Sequence, residues 1–155
     1  VYAAGDCTES RDVVTGDTKV MAVLPNAYLQ GECAGINMAG VAFTFTKAFP
    51  CNAIGFFGKH ILSAGSYTGS VYEYRDGTNY KKLFYDNDRL IGFILIGDKH
   101  PQAGDIPAYD RAGIYTSLIR EGTPLSSIDF EKIAKRPGLM AFSGKVRKEY
   151  LGEER

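Results

Sequence analysis

The chain has 155 residues, of which 45% are hydrophobic and 18 are glycine, which is typical of a soluble globular protein of about one domain. Eighteen basic residues balance eighteen acidic ones, so no strong electrostatic field favours nucleic acid or anionic lipid. The longest apolar run, residues 90–97, is too short to cross a bilayer. We therefore expect neither a nucleic-acid partner nor a membrane span.

Three cysteines, Cys7, Cys33 and Cys51, are widely spaced, with no Cys-x-x-Cys pair and no histidine beside them. This spacing argues against a metal site and against a redox dithiol within the chain. An odd number of cysteines without a visible secretion signal is typical of a reducing compartment. The sequence therefore predicts a cytoplasmic protein with buried free thiols and, at residues 145–155, a charged, solvated tail.

The first forty residues are predicted to form a strand, a loop and a helix. Residues 1–6 have the pattern of a buried strand end entering a glycine turn, and the polar residues 7–19 are predicted to be a loop. The helix should begin near Pro25, where a missing N–H costs nothing, and end at Gly40. Small residues recur on one helix face at Ala27, Gly31, Gly35 and Ala39. This stripe would allow either tight packing within the domain or room for a bound cofactor.

The remainder is predicted to be α+β, an antiparallel sheet of about four to five strands with helices packed on it. Alternating apolar residues predict a strand over residues 41–46. Further strands are expected at residues 58–66, 70–75, 80–85 and 89–97, and the turn residues 76–79 and 86–88 join the last three as a meander. Aromatic residues on these strands should pair across them, namely Tyr72, Tyr74, Tyr80 and Phe84.

Helical spacing returns near the end of the chain. Residues 109–121 should form a helix that ends at Gly122, and a shorter helix should start at Ser126 or Ser127, capped by a hydroxyl group. The two histidines, His60 and His100, are interpreted as a structural residue and a surface-loop residue.

The most specific feature combines Tyr2-Ala3-Ala4-Gly5-Asp6 with Leu24-Pro25-Asn26-Ala27. A glycine at a strand end lets the backbone approach a ligand, and the following acid can accept hydrogen bonds from sugar-type hydroxyl groups. A helix that opens at Pro25 offers unpaired N–H groups and a positive dipole end, which suit a ligand atom that gains negative charge. Alone, an Ala-Gly-Asp turn would be no more than a capped strand end.

Together these segments resemble the second FAD-contacting part of the pyridine nucleotide–disulfide oxidoreductase superfamily, with NADH oxidases, rubredoxin-type reductases and the flavin part of nitrite reductase the most similar. The resemblance continues through residues 30–40 and covers the C-terminal interface domain. It implies that residues 1–40 are the end of an FAD-binding domain and that residues 41–155 are an interface, or dimerisation, domain. It also implies a homodimer, FAD, NAD(P)H bound by another domain and, as a possible partner, an electron-carrier protein.

The same resemblance implies the site residues. Gly5 and Asp6 would lie at the ribityl chain of FAD, with Asp6 binding it, and the backbone at Leu24, Pro25, Asn26 and Ala27 would face the flavin pyrimidine edge. Cys7 would be a neighbour without a chemical role. No catalytic residue and no metal ligand is predicted within the chain.

Two elements of the superfamily are absent from the sequence. Neither copy of the Gly-x-Gly-x-x-Gly dinucleotide fingerprint occurs, so the chain alone should be inactive. Glutathione-reductase-type members place a His-Pro pair after this kind of C-terminal helix, whereas here Lys135-Arg136-Pro137 follows and His100-Pro101 precedes it. That departure disfavours a disulfide substrate and leaves a protein carrier, nitrite or oxygen as acceptors. The alternative function is a non-catalytic dimerisation or protein-interaction module.

Overall fold

A computed structural model describes residues 1–151 of the protein and the side chains of residues 1–148. Its strands are β1 (Glu9–Arg11), β2 (Thr18–Val20), β3 (Cys51–Phe56), β4 (Lys59–Gly65), β5 (Ser70–Asp76), β6 (Asn79–Asp86) and β7 (Arg89–Asp98). Its helices are α1 (Leu24–Met38), α2 (Ala112–Glu121), α3 (Phe130–Lys135) and α4 (Gly144–Leu151). The tail predicted to be solvated lies partly in α4 and partly outside the described residues.

Strands β3 to β7 form one antiparallel sheet in the order β3-β4-β7-β6-β5. Turns of two residues separate β3 from β4, β5 from β6 and β6 from β7, because each adjoining pair closes at directly opposed residues. The predicted meander of the last three strands is therefore confirmed, as is the α+β fold class with helices on an antiparallel sheet.

The core lies between one face of this sheet, here called the inner face, and helices α2 and α3. Fully buried side chains meet there: Leu83 of β6 and Phe93 and Leu95 of β7 pack with Tyr115 and Ile133. The rings of Phe93 and Tyr115 have centroids 5.8 Å apart. Because alternate residues of a strand point to opposite sides, the neighbours of these residues form an outer face. Among the outer-face residues, Ile54, Phe56 and Val71 are exposed.

The strand predicted over residues 41–46 is wrong, and the first strand of the sheet is β3 instead. The segment after α1, residues 41–46, pairs with no strand. Its peptide groups at Phe43 bind the Asn37 side chain, which donates to Phe43 O at 2.7 Å and accepts from Phe43 N at 3.3 Å. The amide side chain thus takes the place of a neighbouring strand at this point.

The first twenty residues also differ from the prediction. No strand forms over residues 1–6, and the predicted loop contains the β1–β2 hairpin, which begins three residues after Asp6. The hairpin is held by Asp12, whose buried carboxylate pairs with Lys19 at 2.9 Å and accepts the Val14 N–H at 2.9 Å. A parallel bridge from Asp12 to Ala48 then fastens the hairpin to the segment before β3.

The predicted cross-strand aromatic pairs do not form. Tyr72 lies opposite Leu83, Tyr74 opposite Lys81, and Tyr80 opposite Arg75, whose guanidinium stacks over the Tyr80 ring at 4.7 Å. Phe84 contacts Tyr67 instead, with ring centroids 5.5 Å apart. The strands that carry these four residues were correctly predicted, but the register depends on the lengths of the turns.

The short helix near the end of the chain, α3, has a different N-terminal cap from the one predicted. The helix at 109–121 is confirmed as α2, beginning three residues later. Ser126 and Ser127 lie in a 3-10 turn (Leu125–Ser127), and α3 begins after Asp129, whose carboxylate accepts the Lys132 N–H at 3.0 Å. This hydrogen bond is the main reason that the pKa of Asp129 is lowered.

Candidate functional site

The Gly5 turn is fastened to helix α1 by one glutamine. The Gly5 N–H donates to Gln30 Oε1 at 2.6 Å, and the Thr8 hydroxyl group lies 2.8 Å from Gly5 O and 3.0 Å from Gln30 Oε1. The Gln30 amide nitrogen then donates to Ser10 Oγ at 2.6 Å. The turn and the first β strand are therefore positioned by a side chain on the second turn of α1.

Glycine is needed at this turn because the backbone of Gly5 has a φ of +93°, where a side chain would be strained. The position that a Cβ would take is 4.0 Å from the Ala27 Cβ. The structure thus places two predicted site residues, Gly5 of the turn and Ala27 of the helix, near each other.

Asp6 follows this turn with its side chain exposed. Within the described residues its carboxylate makes no hydrogen bond or ion pair, in contrast to Asp12 and Asp129, which are both engaged. A carboxylate held on a fixed turn with its acceptor positions free is able to bind hydroxyl groups of a ligand.

The start of α1 is open. Val23 precedes the helix with an extended backbone and gives no side-chain cap, and the first turn holds no acidic residue. The N–H groups of Asn26 and Ala27 both donate to Val23 O, at 3.0 and 3.1 Å, so these two N–H groups are not unpaired as the sequence predicted. Leu24, whose side chain is 84% exposed, and the exposed Pro25 form the outermost part of this helix end.

The Asn26 side chain has a structural role that the sequence did not indicate. It is fully buried, and its Nδ2 donates to Phe49 O at 3.1 Å, which ties α1 to the segment that leads into β3. Its Oδ1 has no protein partner among the described residues. Asn26 is therefore a buried structural residue, and its N–H is already bonded to Val23 O.

A largely apolar cavity of about 470 Å³ lies between the start of α1 and the sheet. Its walls include residues 22–25 on one side and Cys51, Asn52 and Ala53 of β3 on the other. The sequence analysis missed the β3 residues, because that strand was not predicted and its residues carry no recognisable motif. Burial raises the pKa of the Cys51 thiol, opposed by the positive charge of Arg120.

Two members of the small-residue stripe of α1, Gly31 and Gly35, make no packing contact within the described part of the chain. Gly31 and Gly35 are exposed, and nothing lies within 4 Å of a Cβ built on either residue. The interpretation that the stripe serves tight packing inside this domain is therefore not supported at these two residues, which form an open surface.

The described cysteines and histidines do not form a disulfide or a metal-binding cluster. All three thiols are free, but the prediction that they are buried is wrong, since Cys7 is exposed and the other two are half-buried. Among the described residues no three His, Cys, Asp or Glu side chains are placed to hold a metal ion. His60 packs edge-on against Tyr109 at 4.8 Å, and His100 is exposed in a loop.

Comparison with known proteins finds similarity over parts of the chain. Residues 50–104, which span β3 to β7, match the rubredoxin NAD+ reductase C-terminal domain. Over 108 residues the chain is 36% identical to the NADH-dependent phenylglyoxylate dehydrogenase subunit epsilon of Aromatoleum evansii, covering 63% of this chain and 25% of that protein.

Two solved structures have the same fold. A FAD-dependent pyridine nucleotide-disulphide oxidoreductase from Desulfovibrio vulgaris superposes with a TM-score of 0.67 at 20% identity, over 96% of this chain and 38% of that one. A NAD-dependent persulfide reductase from A. fulgidus gives a TM-score of 0.61 at 22% identity, over 83% of this chain and 26% of that one.

The chain therefore resembles the C-terminal portion of these oxidoreductases. The resemblance drawn from the Gly5 and Pro25 segments is thereby confirmed. The chain spans between a quarter and two fifths of the length of the relatives it matches. Every helix in residues 1–151 is too short or too polar to span a lipid bilayer.

Proposed function

We propose that this chain is the C-terminal part of an NAD(P)H-dependent FAD oxidoreductase, in which residues 1–40 supply one edge of the flavin site and residues 41–155 supply the subunit interface. The observation that carries the proposal is the Gly5 turn, held against α1 by Gln30 with the Asp6 carboxylate unengaged. FAD would supply hydride acceptance and onward electron transfer.

The residues present fit one edge of that cofactor. The free carboxylate of Asp6 suits the hydroxyl groups of the ribityl chain. The start of α1 carries no acidic residue and no side-chain cap, so its positive dipole end can face the pyrimidine side of the flavin. The apolar cavity between residues 22–25 and β3 leaves space beside that helix end.

The rest of the reaction needs other segments. No Gly-x-Gly-x-x-Gly occurs in these 155 residues, so the pyrophosphate of FAD and the nicotinamide dinucleotide would be bound elsewhere in the whole protein. The chain by itself should bind FAD weakly, because it retains few of the contacts that offset the entropy of association.

We further propose a cytoplasmic homodimer that passes electrons to a protein carrier or a small acceptor. The free thiols fit a reducing compartment. The match of residues 50–104 to a rubredoxin reductase domain supports a carrier as partner. The alternative, a non-catalytic interaction module, is favoured by the exposed apolar side chains of the outer face and would make Asp6 a simple turn residue.

Replacement of Asp6 distinguishes flavin binding from the alternative function of a non-catalytic interaction module. In the whole protein, Asp6→Ala should lower the flavin content of the purified protein roughly tenfold, because a charged hydrogen-bond acceptor at the ribityl chain is lost. Flavin released by heat denaturation and quantified by absorbance is the measurement. Asp17→Ala removes an equally exposed acid from the β1–β2 turn and should leave flavin content unchanged. Equal flavin content in both variants would contradict the role of Asp6.

A further inference from the structure

A small cavity lies outside the proposed flavin site. Its volume is about 260 Å³, and it is bordered by β5 and β6, by residues 106–110 and by residues 135–137 at the end of α3. None of its lining residues belongs to residues 1–40. Drug-sized ligands need cavities of about 300–1,000 Å³, so only a smaller molecule would fit here.

Side-chain hydrogen bonds to the backbone hold two walls of this cavity. Asn79 of β6 accepts the Ala108 N–H at 2.8 Å and donates to Ile106 O at 3.2 Å, which fastens that loop to the sheet. Arg111 donates to Pro137 O at 3.2 Å from a backbone with a φ of +56°, where a residue other than glycine is strained. Because binding sites are usually largely pre-formed, walls held in this way suit a ligand site.

Lys81 brings a buried positive charge to the lining. The residue is 4% exposed, and with a pKa of about 8 its amine is mostly protonated at pH 7. Two of its three N–H groups are taken by Ala134 O and Lys135 O, and among the described residues no carboxylate lies within ion-pair distance of it. Burying a charge without a counter-ion is costly, because nothing offsets the lost hydration. A ligand could therefore supply the missing negative charge.

Arg136 brings a second cation to the same cavity. Its guanidinium group forms no hydrogen bond or ion pair in the part of the chain that the structure describes, whereas the neighbouring Lys135 is neutralised by Glu131 at 2.6 Å. A guanidinium group presents paired N–H groups that match the two oxygens of a carboxylate. Lys81 and Arg136 thus line one cavity as two cations without counter-ions.

The acidic residues of the lining limit the charge of the ligand. Asp110 is paired with Arg111 at 3.6 Å, whereas Asp76 has no ion-pair partner within the described residues. Two unpaired cations and one unpaired carboxylate leave a single positive charge in excess, which suits a monoanion better than a dianion. Asp76, which accepts the Tyr74 hydroxyl at 3.4 Å, can also accept from a hydroxyl group of the ligand.

We propose that this cavity binds a small organic hydroxy acid, whose carboxylate is neutralised by Lys81 and Arg136. The carboxylate would accept the unused N–H of the Lys81 ammonium and the paired N–H groups of Arg136, and the hydroxyl group would donate to Asp76. The site goes beyond the proposed function, because it contains none of the residues assigned to the flavin.

Isothermal titration calorimetry of the whole protein with sodium lactate, and with sodium sulfate at equal ionic strength, tests this site. Lactate should bind more tightly than sulfate. Arg136→Gln should weaken lactate binding at least roughly tenfold, because a pair of charge-assisted hydrogen bonds is lost. Lys132→Gln removes another exposed cation of α3 that does not line the cavity, and it should leave the affinity unchanged.

Lys81→Met provides a second variant, with Lys82→Met on the outer face as its control. Lactate binding should be lost in the first and kept in the second, and far-UV circular dichroism verifies that both are folded. Lactate affinity unchanged by Arg136→Gln and by Lys81→Met, or tighter binding of sulfate, would overturn the proposal. So would absence of lactate binding by wild type, which includes the case in which another segment of the whole protein fills the cavity. Flavin content is an independent readout, so failure of this site is distinguishable from failure of the proposed function.

Discussion

Gly92→Ala is expected to destabilise the sheet by about 3 kcal/mol or more, at the upper end of the cost of overpacking. A Cβ on Gly92 would lie 2.0 Å from Ser66 O and 2.8 Å from Ala64 O, and both atoms belong to the backbone. Its partner across the β4–β7 pair is Gly65, where a Cβ would lie 2.0 Å from Ile91 O. Because backbone atoms cannot rotate away as a side chain can, the two strands would have to separate.

Urea denaturation monitored by circular dichroism measures this loss. The control is Gly31→Ala on the open face of α1, where nothing lies within 4 Å and alanine has the higher helix propensity. The control should gain between about 0.5 and 1 kcal/mol. A Gly92→Ala protein within about 1 kcal/mol of wild type would mean that β4 and β7 approach less closely than described.

The second large predicted effect is on the free energy of unfolding, to which Lys81 makes a contribution that depends on pH. Its side chain is buried under α3, and its Nζ donates to Ala134 O at 2.8 Å and Lys135 O at 3.1 Å. Burial lowers the pKa of Lys81 from 10.5 to about 8. A neutral amine has two hydrogens, which suffice for the two carbonyl groups, so loss of the proton keeps both hydrogen bonds and removes a buried charge.

The free energy of unfolding should therefore rise with pH. Below pH 8 both states hold the proton, and the folded state bears the full cost of burying the charge. Between pH 8 and 10.5 the folded protein releases the proton while the unfolded chain retains it, so stability increases. At about 1.4 kcal/mol for each pKa unit, the full gain is about 3.5 kcal/mol.

Urea denaturation at pH 7, 8, 9 and 10, compared with Lys81→Met, isolates this contribution. The stability of wild type relative to Lys81→Met should rise across the range, since other titrating groups are common to both proteins. Lys82→Met, on the adjacent residue of the outer face, retains Lys81 and should keep the wild-type dependence. Parallel curves for wild type and Lys81→Met would show that the buried amine keeps its proton in the folded state.

The sheet could be predicted from the sequence wherever turns mark the strands. Asp76-Gly77 and Asn87-Asp88 fall between alternating runs, and β5, β6 and β7 formed at the expected places. Strand β3 was missed because Phe57-Gly58 is not a usual turn sequence and the preceding residues are small or exposed. Residues 41–46 alternate as a strand should, but the Asn37 side chain satisfies the peptide groups of Phe43 instead.

The candidate site was predictable only as two segments. Gly5 and the start of α1 stood out because a positive-φ glycine and a helix-opening proline have recognisable chemistry. Gln30, which joins them, carries no local signal, since its role arises from hydrogen bonds to Gly5 N and Ser10 Oγ. The burial of Asn26 likewise follows from a contact with Phe49 that is 23 residues away in sequence.

The most direct test of the flavin assignment is an anaerobic visible absorption spectrum of the protein expressed from its complete gene, recorded before and after addition of NADH or NADPH. We expect a yellow protein with flavin bands that are bleached by one or both nucleotides. A colourless protein that does not react with either nucleotide would contradict the flavin assignment. The chain would then be an interaction module, and Asp6 a turn residue without a ligand.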